Sequence, residues 1–439
     1  MARNIYDGLM TLRATLISIF ALLLGAGALN LGMGLQASLL GVRAGMESFP
    51  TVLIGLIMSS YYAGFVVGSL NAAKLVNRVG HIRTFSAFAS LTSAAVLLHA
   101  VFVNPWAWLG FRAVTGFCVA VLSLVTESWL NERASNLNRG TIISTYFVVT
   151  LGATALGQVL LMAAPPSGYQ LFVLVSVVIS VALVPVALTS SPMPELTPQE
   201  RMPLKALFNV SPVGLIGSLG AGLIAGSFWG VGAVYGQHVG MTTPEIALFM
   251  TLVICGGVAT QWPLGKLSDG IDRRYVIAGT TFGITLIAAL FTFGGEDGGV
   301  QFYVLAALLG GLILPLYGIA IAHANDFLEP QDFVPASASL LLSYGIGAAI
   351  GPLAATVVMN FMGPYGLFFY MGVSALGIGL FTLYRMTRRR EVPVSPEAET
   401  VPAMAPMPNT SAMIYEMDPR SEEQPEDEDA EDKAQSSGA

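Results

Sequence analysis

Charge is scarce in this sequence. Only 11% of its 439 residues are Asp, Glu, Lys or Arg, against roughly 25% in soluble domains, which excludes an ordinary water-solvated fold. Cysteine is scarcer: Cys118 and Cys255 each lie inside an apolar run, where a lone thiol serves as a small packing residue, so no disulfide framework is expected. His99, His238 and His323 fall near the ends of apolar runs and read as interfacial. No His, Cys and carboxylate set has ligand spacing, so neither a metal nor a cofactor is expected. The same lack removes the clusters a membrane enzyme would need, and nothing points to nucleic acid.

What the chain has instead is apolar length. It is 54% hydrophobic, with a mean hydropathy of +0.68. Twelve spans are placed at 12–40, 51–73, 84–103, 106–130, 140–163, 170–189, 213–237, 244–267, 275–294, 301–323, 336–359 and 366–386. Each suffices for about 30 Å of hydrocarbon. Only helices span lipid as open-ended segments, because each satisfies its own backbone polar groups. The fold class is therefore an all-α membrane protein with twelve transmembrane helices. The first run is too long for a signal-peptide core and no small-residue cleavage site follows it, so it reads as a retained helix.

The Pro-rich, polar stretch after Thr189 divides the chain. The expected organisation is a six-helix bundle at 1–189, a cytoplasmic linker at 190–212, a second bundle at 213–390 and a disordered acidic tail at 391–439. The net charge of −7 comes from that tail: thirteen acids from Glu391 onward face only Arg420 and Lys433, leaving the body at +4. Body cations fall almost entirely on one side. With the amino terminus inside, only Arg43 lies in an outer loop and Arg112 lies within a span. Positive residues favour cytoplasmic loops, which puts both termini in the cytoplasm.

A short charged stretch repeats. Gly265-Lys266-Leu267-Ser268-Asp269-Gly270-Ile271-Asp272-Arg273-Arg274 reads as a tight cationic turn between spans. A worn copy stands 192 positions earlier, with Leu75, Asn77, Arg78, Gly80 and His81. Asn131-Glu132 and Asn325-Asp326 are related by 194, as are Leu156-Gly157 and Ile350-Gly351. Repeated landmarks between membrane-length segments argue for two homologous halves.

The pattern resembles the major facilitator superfamily from about Leu12 to Met386. Glu127-Ser128-Trp129-Leu130-Asn131, Asn138-Arg139-Gly140, Gln261-Trp262-Pro263-Leu264-Gly265 and Leu341-Leu342-Ser343-Tyr344 resemble more narrowly its uncharacterised YcaD-like bacterial branch. The resemblance implies two pseudo-symmetric six-helix bundles rocking about a central cavity. It also implies a lock in which Asp269 sits near the start of span 5, favoured there by the helix dipole, with Arg273 and Arg274 beside it. The competing reading of this stretch is a plain topology signal. Asn77 replaces the acid in the first copy, so its half of the lock is expected to be weaker.

Arg112-Ala113-Val114-Thr115-Gly116 resembles a second superfamily motif, Arg-x-x-Gln-Gly, with Thr115 in place of glutamine. An intramembrane arginine costs about 3 kcal/mol on insertion scales. The resemblance ties it to proton coupling or anionic cargo; hydrogen bonding to backbone carbonyls and snorkelling are the other readings. Glu127 is the one acid well inside a span. It stands about 22 Å along the helix from Arg112, at roughly 1.5 Å per residue, so the two form no pair. A cytoplasmic gate with Arg78, Arg133 or Arg139 is its leading reading, ahead of a proton site.

Candidate cavity residues are Asn30, Gln36, Tyr61, Arg112, Tyr146, Trp229, Tyr235, Gln261, Tyr317 and Tyr344. Such aromatics with scattered amides suit a moderately apolar organic molecule. Candidate gating residues are Asn77, Arg78, Gly80, Glu127, Arg139, Gly265, Asp269, Arg273 and Arg274. The expectation is a monomeric inner-membrane secondary transporter, not an enzyme, moving a small-molecule solute with efflux favoured. Protons are the candidate coupling ion, and lipid is the surrounding partner. The alternative is a non-transporting membrane sensor or partner-binding protein on the same fold.

Overall fold

The computed structural model describes residues 2–134, 138–187, 201–294, 299–388, 410–411 and 414. In chain order the first half contributes α1 (Ala2–Met46), α2 (Thr51–Val79), α3 (His81–Val101), α4 (Pro105–Glu132), α5 (Arg139–Val159) and α6 (Gln170–Ala187). The short α7 (Leu204–Val210) precedes α8 (Pro212–His238), α9 (Thr243–Gly270), α10 (Arg273–Phe293), α11 (Val300–Asn325), α12 (Phe333–Met362) and α13 (Gly366–Met386). Among the described residues eleven helices are long and apolar enough to cross a membrane, and Gln170–Val186 is a shorter apolar helix. The end of the expected first bundle, 188–189, and part of the expected linker, 190–200, lie outside the described residues.

Local chemistry sets the helix starts. Asn104 caps α4, its Oδ1 accepting from the Trp106 N–H at 3.0 Å, with Pro105 in the first turn where no amide hydrogen is needed. Thr242 and Glu245 form a capping box at the start of α9. Asp272 caps α10 by accepting from the Arg274 N–H at 2.9 Å. The expected cationic turns are mostly helix. The second span continues to Val79 and the eighth to Gly270, so Gly80 alone, at φ 90°, separates α2 from α3. That left-handed backbone favours glycine.

The two halves repeat one packing scheme. α2 packs on α4, α1 on α5 and α6, and α3 on α4 and α6; α9 packs on α11, α8 on α12 and α13, and α10 on α11 and α13. Lipid gives helices no hydrophobic reason to associate, so close backbone approach through small residues carries the contact. A side chain at Gly64 would meet the Ala113 carbonyl, and one at Gly116 the Tyr61 carbonyl. In the second half Gly256 faces the Ala307 carbonyl and Gly310 that of Val253. Each partner is displaced by 192 in the first helix of the pair and 194 in the second, the same offsets read from the sequence motifs. Gly157 against Leu31 and Gly351 against Leu223 repeat the relation. Outward-facing Phe20, Val148, Leu286 and Phe361 are exposed, as a hydrocarbon-facing surface allows.

The halves meet mainly towards one end. We call the α6–α8 crossover end the linker end and the opposite one the far end. Gly41 abuts Val234, Gly230 abuts Pro352 and Met58, and the Leu353 N–H donates to the Ser59 hydroxyl at 3.1 Å, all in the far half. Leu151 and Ile254 form a small cluster with Trp229 and Leu314 between α5 and α9. The deepest of these helix contacts is Val66 with Gly345, near mid-helix. At the linker end the crossing is made by the chain itself: Arg201 donates to the Ser69 carbonyl at 3.2 Å, and Met202 bonds Pro335 and Ser339.

Candidate functional site

α4 carries two buried ionisable groups at opposite ends. Asn104 and Pro105 start the helix at the far end, which places Arg112 two turns in. Arg112 is 4% exposed, and its guanidinium lies 4.3 Å from the centre of the Tyr61 ring on α2. Tyr62 stands edge-on to Tyr61 at 5.3 Å. The ring offers its negative face to the cation. Among the described residues Nε and Nη1 of Arg112 have no hydrogen-bond acceptor, so neither backbone bonding at these atoms nor snorkelling describes its setting. Its counterpart on α11, 194 positions on, is Ala306.

Glu127 lies towards the linker end with no exposed surface. One carboxylate oxygen accepts from the Tyr146 hydroxyl of α5 at 2.9 Å. The other accepts from the backbone N–H of Ser411 at 2.8 Å and from the Ser411 hydroxyl. These contacts are neutral, in place of the Arg78, Arg133 or Arg139 expected for a gate; in this conformation Arg78 is exposed and Arg139 begins α5. Thr410, Ser411 and Ile414 are buried, at 2%, 3% and 1% exposure. Ser411 and Ile414 thus have partners in the body of the chain. The rest of 391–439 lies outside the described residues.

The other cavity candidates divide. Gln36 is fully buried with neither amide atom hydrogen-bonded among the described residues. Asn30 donates to its own helix at Ala26, 2.9 Å away. Tyr317 and Tyr344 face each other at 4.9 Å between α11 and α12. Tyr235 packs into an aromatic cluster with Phe249, Tyr365 and Phe368 and serves the core of the second half. Trp229 stands at the α5–α9 contact between halves, and Gln261 is half-buried on α9. Sequence reasoning missed Gln158, which donates to the Gly34 carbonyl at 2.9 Å and accepts from Ser38, joining α5 to α1. It also missed Ser411, which nothing in a polar tail singles out. His99 and His323 are buried, not interfacial: His99 bonds the Ala95 carbonyl at 2.7 Å and touches the rings of Trp108 and Phe111.

The charged motif makes a network at the linker end. Arg273 bridges Asp269 on α9 and Asp326 after α11, each at 3.1 Å. Arg274 pairs with Asp272 at 2.6 Å. Burial pushes the Asp272 carboxyl up, but hydrogen bonds from the Arg274 side chain and backbone, with its charge, outweigh this and hold it below the usual range. Gly265 is buried in α9. In the first copy Asn77 is exposed and His81 lies against the ring of Trp129 at 5.5 Å. The contacts described for Asp269 in this conformation lie within the second half.

Comparison with known proteins agrees with this architecture. The family model of the Major Facilitator Superfamily matches residues 15–294 and 214–415. The chain belongs to the Major Facilitator Superfamily. Among the superfamily's members it is 27% identical over 382 residues to the uncharacterized MFS-type transporter Ent638_1421 of Enterobacter sp. (strain 638), covering 86% of this chain and 98% of that one. It is 28% identical over 388 residues to the uncharacterized MFS-type transporter YcaD of Salmonella typhimurium, again covering 86% and 98%. Its fold resembles the crystal structure of the nucleoside transporter NupG, with a TM-score of 0.70 at 10% identity over 83% of this chain and 98% of that one. A bacterial homolog of the human lysosomal transporter Spinster, solved inward-facing and unoccupied, gives 0.67 at 14% identity over 85% and 98%. This superfamily member is a multi-pass membrane protein of a transporter class, and Arg112, Tyr61, Glu127 and Tyr146 all sit in its first half.

Proposed function

We propose that the chain is a secondary active transporter that carries a small organic solute across the bacterial inner membrane by alternating access. The observation behind this reading is the placement of contacts between the halves. They are concentrated in the far half, while α4 presents Glu127 towards the linker end. A doubled bundle joined at one end is suited to pivot so that the opposite end closes. With the linker end in the cytoplasm, as the cation distribution argues, this conformation opens inward. Closure would bring Asp269 towards the start of α5, where the lock acts.

In this reading the solute takes its polar contacts from the first half. Arg112 with its unfilled donors, Tyr61 and Gln36 come from the first half, and a solute carrying an anionic or strongly accepting group would satisfy them. Aromatic walls suit an otherwise apolar body. Efflux is the favoured direction and protons the candidate coupling ion.

The experiment is a pair of distances in lipid nanodiscs, with spin labels at Lys74 and Lys266 near the linker end and at Met46 and Pro244 near the far end. With a ligand that stabilises the outward state, the first distance shortens and the second lengthens. If both distances stay fixed under every ligand and proton gradient that alters stability, the pivot is wrong.

A further inference from the structure

Ser411 brings two donors to one carboxylate. Its N–H and its hydroxyl both reach the same oxygen of Glu127, while the Tyr146 hydroxyl holds the other. The donor atoms are separated by two carbons, the arrangement of a 1,2-amino alcohol derivative. All three partners of the carboxylate are buried, and Ile414 joins the main apolar core. Hydrogen bonds gain strength where water is excluded. The contact spans 284 residues, so no local turn or helix requirement explains it. The second half offers no equivalent, since Ile321 and Leu340 stand at the positions matching Glu127 and Tyr146.

We propose that Glu127 and Tyr146 form a binding site for a vicinal N–H and O–H donor pair, and that Ser411 fills it as a ligand carried by the chain itself. A tethered ligand acts at an effective concentration in the millimolar range, so a weak two-donor contact suffices to hold the site. Resting on the transporter reading, a solute or solute fragment with the same donor pattern must displace Ser411 to reach Glu127 from the linker end. Closure of that end likewise requires the segment to leave.

The test uses the full chain in nanodiscs, with exposed Cys255 replaced by serine and a thiol introduced beside the intact Ser411 at buried Thr410 by T410C or, as a control further along the tail, by S436C. Labelling by a water-soluble maleimide reports accessibility without any requirement for flux. The T410C thiol should react at least tenfold more slowly than the S436C thiol, and Glu127→Gln should remove most of that protection. A synthetic peptide of residues 405–416, added to the T410C chain, should speed labelling in a saturable way. The same peptide carrying Ser411→Ala should need about tenfold more. Peptide competition requires no change at Glu127, so a Glu127→Gln chain that fails to fold leaves that arm decisive. Equal labelling of the two thiols, or protection unmoved by the peptide at millimolar concentration, overturns the proposal. Failure of solute transport with the protection and competition intact would overturn the transport reading alone.

Discussion

The Arg112 guanidinium lies 4.3 Å from the centre of the Tyr61 ring, buried between α4 and α2. The same helix pair brings Gly116 against the Tyr61 carbonyl, so the cation and its aromatic partner are fixed by a backbone contact one turn away. A cation–aromatic contact in a desolvated place is worth about 2 kcal/mol. It does not replace hydrogen bonds at Nε and Nη1. Arg112→Ala should therefore cost solute affinity at least tenfold and alter the driving-ion dependence of transport. Tyr61→Leu should have a smaller effect in the same direction. Titration of a stabilising solute by thermal shift, with flux measured beside it, checks both; unchanged affinity and coupling in Arg112→Ala would remove the residue from the site.

Arg273 tests the linker-end network. It is 7% exposed and faces Asp269 and Asp326 together. Removing the shared cation leaves two part-buried carboxylates facing each other, at an expected cost of about 1–3 kcal/mol, below the 3–5 typical of fully buried pairs because both acids keep some solvent. Arg273→Ala should lower the melting temperature more than Asp326→Ala, which removes one arm only. Equal melting of the two variants would show that the bridge does not act as a unit.

Asp272 gives a pH test whose sign follows from its depressed pKa. A carboxyl lowered in the folded state adds stability that is fully present above its unfolded value, near 3.9, and is lost as pH falls through the folded value. The unchanged protein should lose stability between about pH 4 and the lower folded pKa. Asp272→Asn should be less stable at pH 6 and show a smaller decrease across that window. Melting curves in detergent at pH 6 and pH 3 measure the difference; parallel decreases would contradict the assignment.

The doubled packing predicts matched sensitivities. Gly116→Leu and Gly310→Leu each drive a side chain into a facing carbonyl, at Tyr61 and Val253. Overpacking of this kind costs about 1–3 kcal/mol or more. Gly110→Leu, on α4 but with open space at its Cβ, should be near neutral. Folded yield and melting temperature decide the matter, and a tolerated Gly116→Leu would sink the close-contact account.

Much of this architecture is written locally. Apolar run length placed the helices, and repeated landmarks at 192 and 194 positions foretold the doubled scheme that Gly64–Ala113 and Gly256–Ala307 display. Helix ends were less legible, because Lys74 and Lys266 look like loop residues while the backbone stays helical as far as Val79 and Gly270. Arg112 was conspicuous as a charge in an apolar run. Its stacking on Tyr61 depends on the rotation of α2 against α4, which the chain order does not encode. Glu127 was equally conspicuous, but its partner comes from a polar, Pro-rich region where hydropathy carries no register. Tyr235 has the composition of a cavity residue and the surroundings of a core one.

Solute counterflow in proteoliposomes tests the central claim most directly. Purified protein is first screened by thermal shift for a stabilising solute, since a ligand that binds the folded state raises its apparent stability. That solute, radiolabelled outside and unlabelled inside, should accumulate transiently and saturably, and Arg112→Ala should remove most of the accumulation. A solute that stabilises the protein yet shows no counterflow, with or without a proton gradient, would contradict transport and leave a binding-only membrane protein.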